Sequence, residues 1–272
     1  MVDADAFAAF EAAGWNARAA EYDHYWPALT SRLSDRLLDA VGVGPENRVL
    51  DVACGPGHLA GRAAERGATA VGVDVAEPMI TIGRQRFPGV EFRQADALAL
   101  PFADRSFDGV VSNLGLPHFG RPERAVAEFR RVLTTNGRLA LTTWNLPARA
   151  RLIGVLLEAV QEVGVAVPDT VPAGPNFFRF ADDIEFESIL RDQDLVDVGI
   201  QTVEFLHSVD NVNELWDGLL YGTVRTSAVI RGQQDDVVRQ IRASFDRRVE
   251  AYHIDEKYEL PVSFKLATAR RG

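Results

Sequence analysis

Residues 49–60 read Val-Leu-Asp-Val-Ala-Cys-Gly-Pro-Gly-His-Leu-Ala, and this stretch gives the clearest indication of the fold. The apolar run up to Ala53 predicts a short buried strand, and the turn Gly55-Pro56-Gly57 predicts that a helix follows it. Glycines at such a turn let the backbone approach a ligand closely and direct free N–H groups at it. The stretch therefore predicts a binding loop, although a plain tight turn between strand and helix fits the same residues.

Short apolar runs of this kind recur downstream. They cover residues 48–53, 70–75, 90–94, 107–112 and 137–144. Helical patterns lie between them. In one, Val126, Phe129 and Val132 recur at helical spacing, and Asn136-Gly137 predicts where that helix ends. Alternating strands and helices predict a parallel sheet whose ligands bind beyond the carboxyl ends of its strands.

A carboxylate ends the second of these runs. Asp74 follows Val71-Gly72-Val73, at about the interval after the glycine loop where an acid accepts the two hydroxyls of an adenosine ribose. The segment Gly55-x-Gly57-x-x-Ala60 also fits the dinucleotide-binding pattern, so a nicotinamide dinucleotide is one alternative. Another alternative is that Asp74 caps the helix that starts near Glu77.

Two further acids favour S-adenosylmethionine (SAM) over a dinucleotide. Asp51 lies four residues before Gly55, and Asp96-Ala97 follows the third predicted strand, where it is placed to meet an adenine. With these motifs the chain resembles the class I SAM-dependent methyltransferases, which include the ubiquinone and menaquinone C-methyltransferases and many natural-product methyltransferases. The resemblance covers about residues 15–145 strongly and the remainder by pattern only.

The resemblance implies roles for particular residues in binding SAM. The backbone around Ala53 matches the part that faces the methionine of SAM, although family members often have glycine at this position. Asp74 matches the ribose-binding acid, Met79 the apolar residue against the adenine, and Asp96 the acceptor of the adenine amino group. Asn113 and Leu114 match positions beside the sulfonium. The complete implied set is Asp51, Ala53, Gly55, Gly57, Asp74, Val75, Met79, Asp96, Ala97, Asn113 and Leu114.

The expected fold is α/β. It is a Rossmann-like, seven-stranded, mostly parallel sheet with helices on both faces and a helical cap, and the resemblance implies that the last strand is antiparallel. Beyond Trp144 the patterns predict helices at 151–163, 182–192, 213–221 and 235–252, strands at 196–206 and 258–269, and a loop or cap at 167–180. One domain is expected over residues 1–272, with its core approximately in 45–145, 182–210 and 256–270 and its cap in 1–44, 145–181 and 211–255.

The composition excludes several classes of protein. The chain has 272 residues, 47% of them hydrophobic, and its formal net charge of −10 disfavours nucleic acid and anionic membrane surfaces as partners. Its only cysteine, Cys54, excludes a disulfide or a cysteine zinc site and fits a reducing cytoplasm, and the histidines lack metal-ligand spacing. No signal peptide or membrane-spanning run is recognised, so a cytoplasmic location is expected. The oligomeric state stays open.

The only lysines are Lys257 and Lys265. An enzyme with a Schiff-base lysine in a central cleft is therefore disfavoured, and pyridoxal phosphate chemistry with it. A short-chain dehydrogenase is disfavoured as well, because it needs a catalytic Tyr-x-x-x-Lys in the middle of the chain.

Methyl transfer requires alignment of the acceptor and exclusion of water, and it uses a base only for some acceptors. His118, in the segment Asn113-Leu114-Gly115-Leu116-Pro117-His118-Phe119 after the fourth strand, is the first candidate base. A structural role or contact with SAM is the alternative for His118. His207, just after the strand that runs to Leu206, is the second candidate, and a surface role is its alternative.

Aromatic residues outside the predicted sheet are candidates for the walls of an acceptor pocket. Aromatic rings at helical spacing also commonly pack a core, so both interpretations stay open. Arg179 would hold an anionic acceptor or pair on the surface with Asp182 or Asp183. The candidate pocket residues are Tyr22, Tyr25, Trp26, His118, Phe177 and Arg179.

The predicted function is transfer of a methyl group from SAM to a small, partly apolar molecule, in secondary or quinone-like metabolism. Two alternatives use the same fold: a SAM-binding enzyme that catalyses a cyclisation or rearrangement without methyl transfer, and a SAM-sensing regulatory module. Formation of S-adenosylhomocysteine separates the first function from both.

Overall fold

A central sheet organises the chain, which a computed structural model describes from residue 3 to residue 272. Its strands are β1 (Arg48–Val52), β2 (Thr69–Asp74), β3 (Glu91–Gln94), β4 (Phe107–Asn113), β5 (Leu133–Trp144), β6 (Leu195–Val209), β7 (His253–Ile254) and β8 (Lys257–Arg271). The sheet order is β3-β2-β1-β4-β5-β8-β6, and β7 pairs with β8 alone. Strands β1 to β5 are parallel, whereas β8 runs antiparallel to both β5 and β6. The predicted fold class is confirmed, including the antiparallel last strand.

Helices cover the sheet and its carboxyl edge. Within residues 3–272 they are α1 (Ala4–Tyr25), α2 (Pro27–Thr30), α3 (Ser34–Val41), α4 (His58–Glu65), α5 (Glu77–Arg86), α6 (Pro122–Val132), α7 (Arg151–Val163), α8 (Asp183–Arg191), α9 (Val212–Tyr221), α10 (Arg225–Arg231) and α11 (Asp235–Val249). The short α10 was not predicted, because its seven residues are too few to show a helical period. In the same part of the chain, no helix combines the length and hydrophobicity that crossing a bilayer requires.

Two apolar layers hold the helices against the sheet. The adjacent β1 residues Val49 and Leu50 are both almost fully buried, but they belong to different clusters because successive side chains of a strand point to opposite faces. Leu37 of α3 packs in the first cluster and Phe129 of α6 in the second. Each side chain of this size stabilises the fold by about 1.5–3 kcal/mol when buried.

Helix α6 ends earlier than its sequence signal predicts. Val132 is its last residue, and Leu133 is already extended, with φ −68° and ψ 140°. Asn136 does adopt the left-handed conformation that Asn-Gly favours, with φ 64°, but it does so inside β5. The pairing of β4 with β5 shifts register at this point, between Phe107 and Gly109. The prediction that Asn136-Gly137 ends the helix is therefore wrong. These residues lie in an irregular part of strand β5.

Candidate active site

A cavity of about 740 Å³ lies where the carboxyl ends of β1, β2 and β4 meet helix α1 and the later helices α7, α9 and α10. Parallel sheets bind their ligands at this edge, and the volume falls within the ~300–1,000 Å³ typical of ligand pockets. Strand ends supply one side of the cavity and helices supply the other. We call these the strand side and the helix side.

The glycine loop between β1 and α4 forms part of the strand side. Ala53, Gly55 and Gly57 all take left-handed backbone conformations, with φ of 55°, 52° and 84°. A side chain at Gly57 would place its Cβ 2.4 Å from Cζ of Phe92, so only glycine fits there. Ala53 and Gly55 line the cavity, whereas Gly57 lies behind them as the N-cap residue of α4.

Asp74 lies at the end of β2 and links the glycine loop to the start of α5. One carboxylate oxygen accepts from the backbone N–H of Gly55 at 2.9 Å, and the other accepts from that of Ala76 at 2.9 Å. Burial raises the pKa of Asp74, and these backbone N–H groups oppose that rise. The N-cap residue of α5 is Ala76, so Asp74 acts as a bridge and not as the cap. Each of its oxygens retains lone pairs for further donors.

Asp51 does not line the cavity. It is 2% exposed and lies beneath the glycine loop, where one oxygen accepts from Ala60 N–H at 3.0 Å. The other oxygen has no hydrogen-bond partner among residues 3–272, and burial raises the pKa of Asp51 well above its ordinary range. Asp51 lines a smaller space of about 30 Å³ together with Ser34. Asp51 therefore lies outside the main cavity, in a small space that Ala53, Gly55 and Asn113 also border.

The remaining residues predicted to bind SAM border the cavity. Asn113, the last residue of β4, donates to Thr30 O at 3.0 Å and accepts from Thr142 Oγ1 at 2.7 Å, so its amide anchors the strand end. Asp96 is exposed at the rim and accepts from Leu98 N–H at 2.8 Å. The others that line the cavity are Val75, Met79, Ala97 and Leu114.

His118 lies in the turn after β4 and contacts an acid that the sequence analysis missed. Its Nδ1 is 2.9 Å from Oε2 of Glu11, a residue of α1, and the indole N–H of Trp15 donates to the same oxygen at 3.1 Å. Glu11 is 4% exposed. The available signal was its spacing, because Glu11 stands four residues from both Phe7 and Trp15 and therefore on the buried side of the helix.

Aromatic side chains surround His118. The rings of Trp15 and Phe177 meet its imidazole edge-on, at centroid distances of 5.1 and 5.5 Å. Tyr22 lines the cavity beside the glycine loop, and burial raises its pKa to about 12. Trp26 also lines the cavity and donates to Gly218 O at 3.1 Å. The structure therefore places Tyr22, Trp26 and Phe177 in the cavity wall as predicted.

Three of the residues predicted as bases or as pocket walls do not reach the cavity. Tyr25 packs against His24 and the α9 backbone at Gly218. Arg179 pairs with Glu123 at 2.5 Å and Glu185 at 2.9 Å, and not with the two aspartates named by the sequence analysis. His207 is buried on β6, which lies two strands beyond β5 in the sheet order. It therefore lies towards the carboxyl edge of the sheet, where the cavity is, but too far across the sheet to reach the cavity.

The helix side of the cavity is apolar over much of its surface. Leu156 and Val160 come from α7, Leu219 from α9, and Val229 and Ile230 from α10. Polar groups on the strand side and an apolar surface on the helix side suit two ligands that meet in one space. His118 and Glu11 line the same continuous cavity.

Known proteins match the chain in sequence. A family profile described as a methyltransferase domain matches residues 50–141. The demethylmenaquinone methyltransferase of Renibacterium salmoninarum is 34% identical over 151 residues, which are 56% of this chain and 64% of that protein. The 2-phytyl-1,4-naphtoquinone methyltransferase of Synechocystis sp. is 30% identical over 188 residues, 60% of this chain and 76% of that protein. The chain spans less than two thirds of the Renibacterium relative.

Solved structures share the fold. The YcgJ protein of Bacillus subtilis has a TM-score of 0.58 at 20% identity, covering 88% of this chain and 98% of that chain. The (4+2)-cyclase SpnF has a TM-score of 0.52 at 22% identity, covering 89% of this chain and 81% of that chain. At these identities the likeness concerns the fold alone.

Proposed function

Because the chain belongs to the class I SAM-dependent methyltransferases, we propose that it transfers the methyl group of SAM to a small, partly apolar molecule. The observation that carries this proposal is the continuity of the cavity. It extends from Asp74 and Asp96 at the strand ends, past His118, to the apolar surface of α7, α9 and α10. Donor and acceptor can therefore bind in one space, as a direct displacement requires.

The residues on the strand side fit SAM. Asp74 combines a fixed position with spare lone pairs for two ribose hydroxyls, and Met79 offers a buried apolar surface for the adenine. Gly55 leaves its side of the loop open, because a Cβ there would meet only Tyr22, at 3.6 Å. The backbone of Ala53 and the carboxylate of Asp96 at the rim of the cavity also belong to the proposed SAM site. When bound, SAM supplies a methyl group on a positively charged sulfur.

The chain contributes alignment and exclusion of water. Trp15, Tyr22, Trp26 and Phe177 line the cavity with aromatic rings, whose faces offer ordered water few hydrogen-bond partners. The apolar helix side holds the body of the acceptor. The quinone-related names of the relatives favour an acceptor with a quinone-like ring.

We also propose that the chain forms one domain, which holds both the site for SAM and the site for the acceptor. Strands β6 and β8 continue the sheet formed by β1 to β5, which supports placing segments 182–210 and 256–270 in the same core as the glycine loop. The cap segments pack on this core and form the helix side of the cavity.

Mass spectrometry tests the proposed function. The purified protein is incubated with SAM that carries a deuterated methyl group and with a small-molecule extract of its host. Labelled product and S-adenosylhomocysteine are expected from the wild type and from Asp169→Ala, a variant at an exposed position. Neither is expected from Asp74→Ala. If the protein binds SAM but forms no S-adenosylhomocysteine with any fraction of the extract, a non-methylating function of the same fold replaces this proposal.

A further inference from the structure

We propose that Glu11 and His118 form a proton-accepting pair, and that the acceptor carries a phenol- or enol-type hydroxyl which loses its proton to His118 when the methyl group is transferred. This inference rests on the proposed function, because it names the class of acceptor for the same cavity. Glu11 is the positioning residue of the pair, and His118 is the residue that would meet the acceptor.

The hydrogen bonds fix which nitrogen of His118 carries a proton. A buried carboxylate only accepts hydrogen bonds, and Glu11 Oε2 already accepts from the indole N–H of Trp15 at 3.1 Å. His118 Nδ1, at 2.9 Å from the same oxygen, must therefore be its N–H nitrogen. In the neutral imidazole the proton then resides on Nδ1, and Nε2 carries a lone pair. Within residues 3–272, Nε2 makes no hydrogen bond, so it is available to a ligand.

Accessibility distinguishes the two members of the pair. The side chain of His118 is 27% exposed and that of Glu11 only 5%, and both residues line the cavity. An acceptor can therefore reach the imidazole, while the carboxylate stays behind it. The edges of Trp15 and Phe177 hold the ring from two sides. This arrangement places a fixed lone pair against a ligand, as general-base catalysis requires.

Charged side chains face His118 from neighbouring elements. Glu11 faces His118 from α1, and Asp74 faces it from the end of β2, where the two side chains interact electrostatically. Both are acids. In a cavity lined largely by apolar groups, such charges act more strongly than they would in water. The carboxylate of Glu11, 2.9 Å from Nδ1, is the charge in direct contact with the ring and offsets the positive charge that proton transfer creates.

The proposed step balances. The hydroxyl O–H bond of the acceptor breaks, and its proton passes to Nε2 of His118. The electron pair of the resulting phenolate or enolate forms the new bond to the methyl carbon. The bond between that carbon and sulfur breaks, its electron pair stays on sulfur, and S-adenosylhomocysteine is released. His118 then returns its proton to solvent.

A spectroscopic probe tests the pair without turnover. Para-nitrophenol absorbs differently as phenol and as phenolate, and it is titrated into the protein at a pH where the free compound is mostly neutral. We expect the wild type to show the phenolate band. The matched variants are Glu11→Gln, which removes the buried charge, and Glu21→Gln, an exposed position on the same helix. The band should persist in Glu21→Gln and disappear in Glu11→Gln. Its absence from the wild type, or an equal band in Glu11→Gln, overturns the proposal.

Kinetics supply the second test. With the acceptor identified from the host extract, Glu11→Gln should lower kcat by about tenfold or more while leaving the KM for SAM unchanged. Its pH–rate profile should differ from that of the wild type, because the variant replaces the buried charge beside the ring with a neutral amide. Equal profiles for Glu11→Gln and the wild type contradict the inference.

Calorimetric titration with SAM distinguishes a failure of this inference from a failure of the proposed function. If the wild type does not bind SAM, the proposed function fails. If the wild type and Glu11→Gln bind SAM equally and both form product at the same rate, the proposed function stands and only this inference fails. Equal binding also shows that Glu11→Gln retains the fold.

Discussion

Asp23 and Arg86 form a two-pronged ion pair, in which the terminal nitrogens of Arg86 lie 2.6 and 2.7 Å from the two carboxylate oxygens of Asp23. The pair joins α1 to the last turn of α5. Arg86 also lies 3.0 Å from Nε2 of His58, the first residue of α4. Hydrogen bonds from Arg86 lower the pKa of Asp23. Because α4 begins directly after the glycine loop, the contacts of Arg86 with Asp23 and His58 hold α1 in place over the strand side of the cavity.

Loss of this pair should speed the release of SAM. Arg86→Leu is expected to raise the dissociation rate about fivefold, since a partly exposed ion pair is worth about 1 kcal/mol. Stopped-flow fluorescence of the tryptophans that line the cavity measures the rate. Arg239→Leu, at an exposed position on α11, is the control. An unchanged rate in Arg86→Leu would show that the pair does not restrain α1.

Asp74→Ala should weaken SAM binding by about a hundredfold or more, because hydrogen bonds to a charged group contribute about 1.5–3 kcal/mol each and two are lost. The variant also leaves the N–H groups of Gly55 and Ala76 without their acceptor. The melting temperature should therefore fall as well. Calorimetry measures the affinity and thermal denaturation the stability, with Asp169→Ala as the comparison. Wild-type affinity in Asp74→Ala would refute the assignment of the ribose-binding acid.

Ala53→Gly should preserve or increase stability, although glycine usually weakens a fold. Ala53 holds a left-handed conformation, with φ 55°, which costs a non-glycine residue about 1–2 kcal/mol. Glycine avoids this strain and loses about 0.5–1 kcal/mol in backbone entropy. Ala13→Gly makes the same chemical change at an exposed position in α1 and should cost about 1 kcal/mol. Urea denaturation compares the two variants. Equal destabilisation in both would contradict this account of Ala53.

Asp51→Asn should change how stability depends on pH. Burial raises the pKa of Asp51 in the folded chain, so the folded state holds this proton more tightly than the unfolded state. Stability therefore decreases as pH rises from the ordinary carboxyl range, about 3.9, through the raised value. The variant removes this titration, so its stability relative to the wild type should increase with pH across that window. Denaturation at several pH values measures the difference, and a constant difference would show that Asp51 does not titrate there.

Local signals explain which predictions from sequence succeeded. The strand, the glycine turn and the acid after the next strand depend on short stretches of chain, so the positions of Gly55 and Asp74 at the cavity followed from spacing alone. Asn136 shows the limit of such signals, because Asn136-Gly137 was predicted to end a helix, whereas Asn136 takes its left-handed conformation inside a strand.

Side chains that meet across the fold were not predictable in this way. Glu11 and His118 are 107 residues apart in sequence, and no pattern near His118 indicates its partner. Arg179 shows the converse, because its neighbours in sequence are acidic but packing directs it to Glu123 and Glu185. His207 was placed at the correct edge of the sheet, but the distance across the sheet depends on strand order, which the sequence analysis did not derive.

The division of the cavity between strand ends and helices has an evolutionary consequence. The strand side comes from segments inside residues 50–141, the part that matches the family profile, whereas the helix side comes largely from α1, α7, α9 and α10, outside that range. Mutations in α7, α9 and α10 alter the shape offered to an acceptor without replacing any residue of the strand side. Lineages with this architecture can thus acquire new substrates while retaining an inherited donor site. Exchanging the same helices between relatives is the corresponding route for protein engineering.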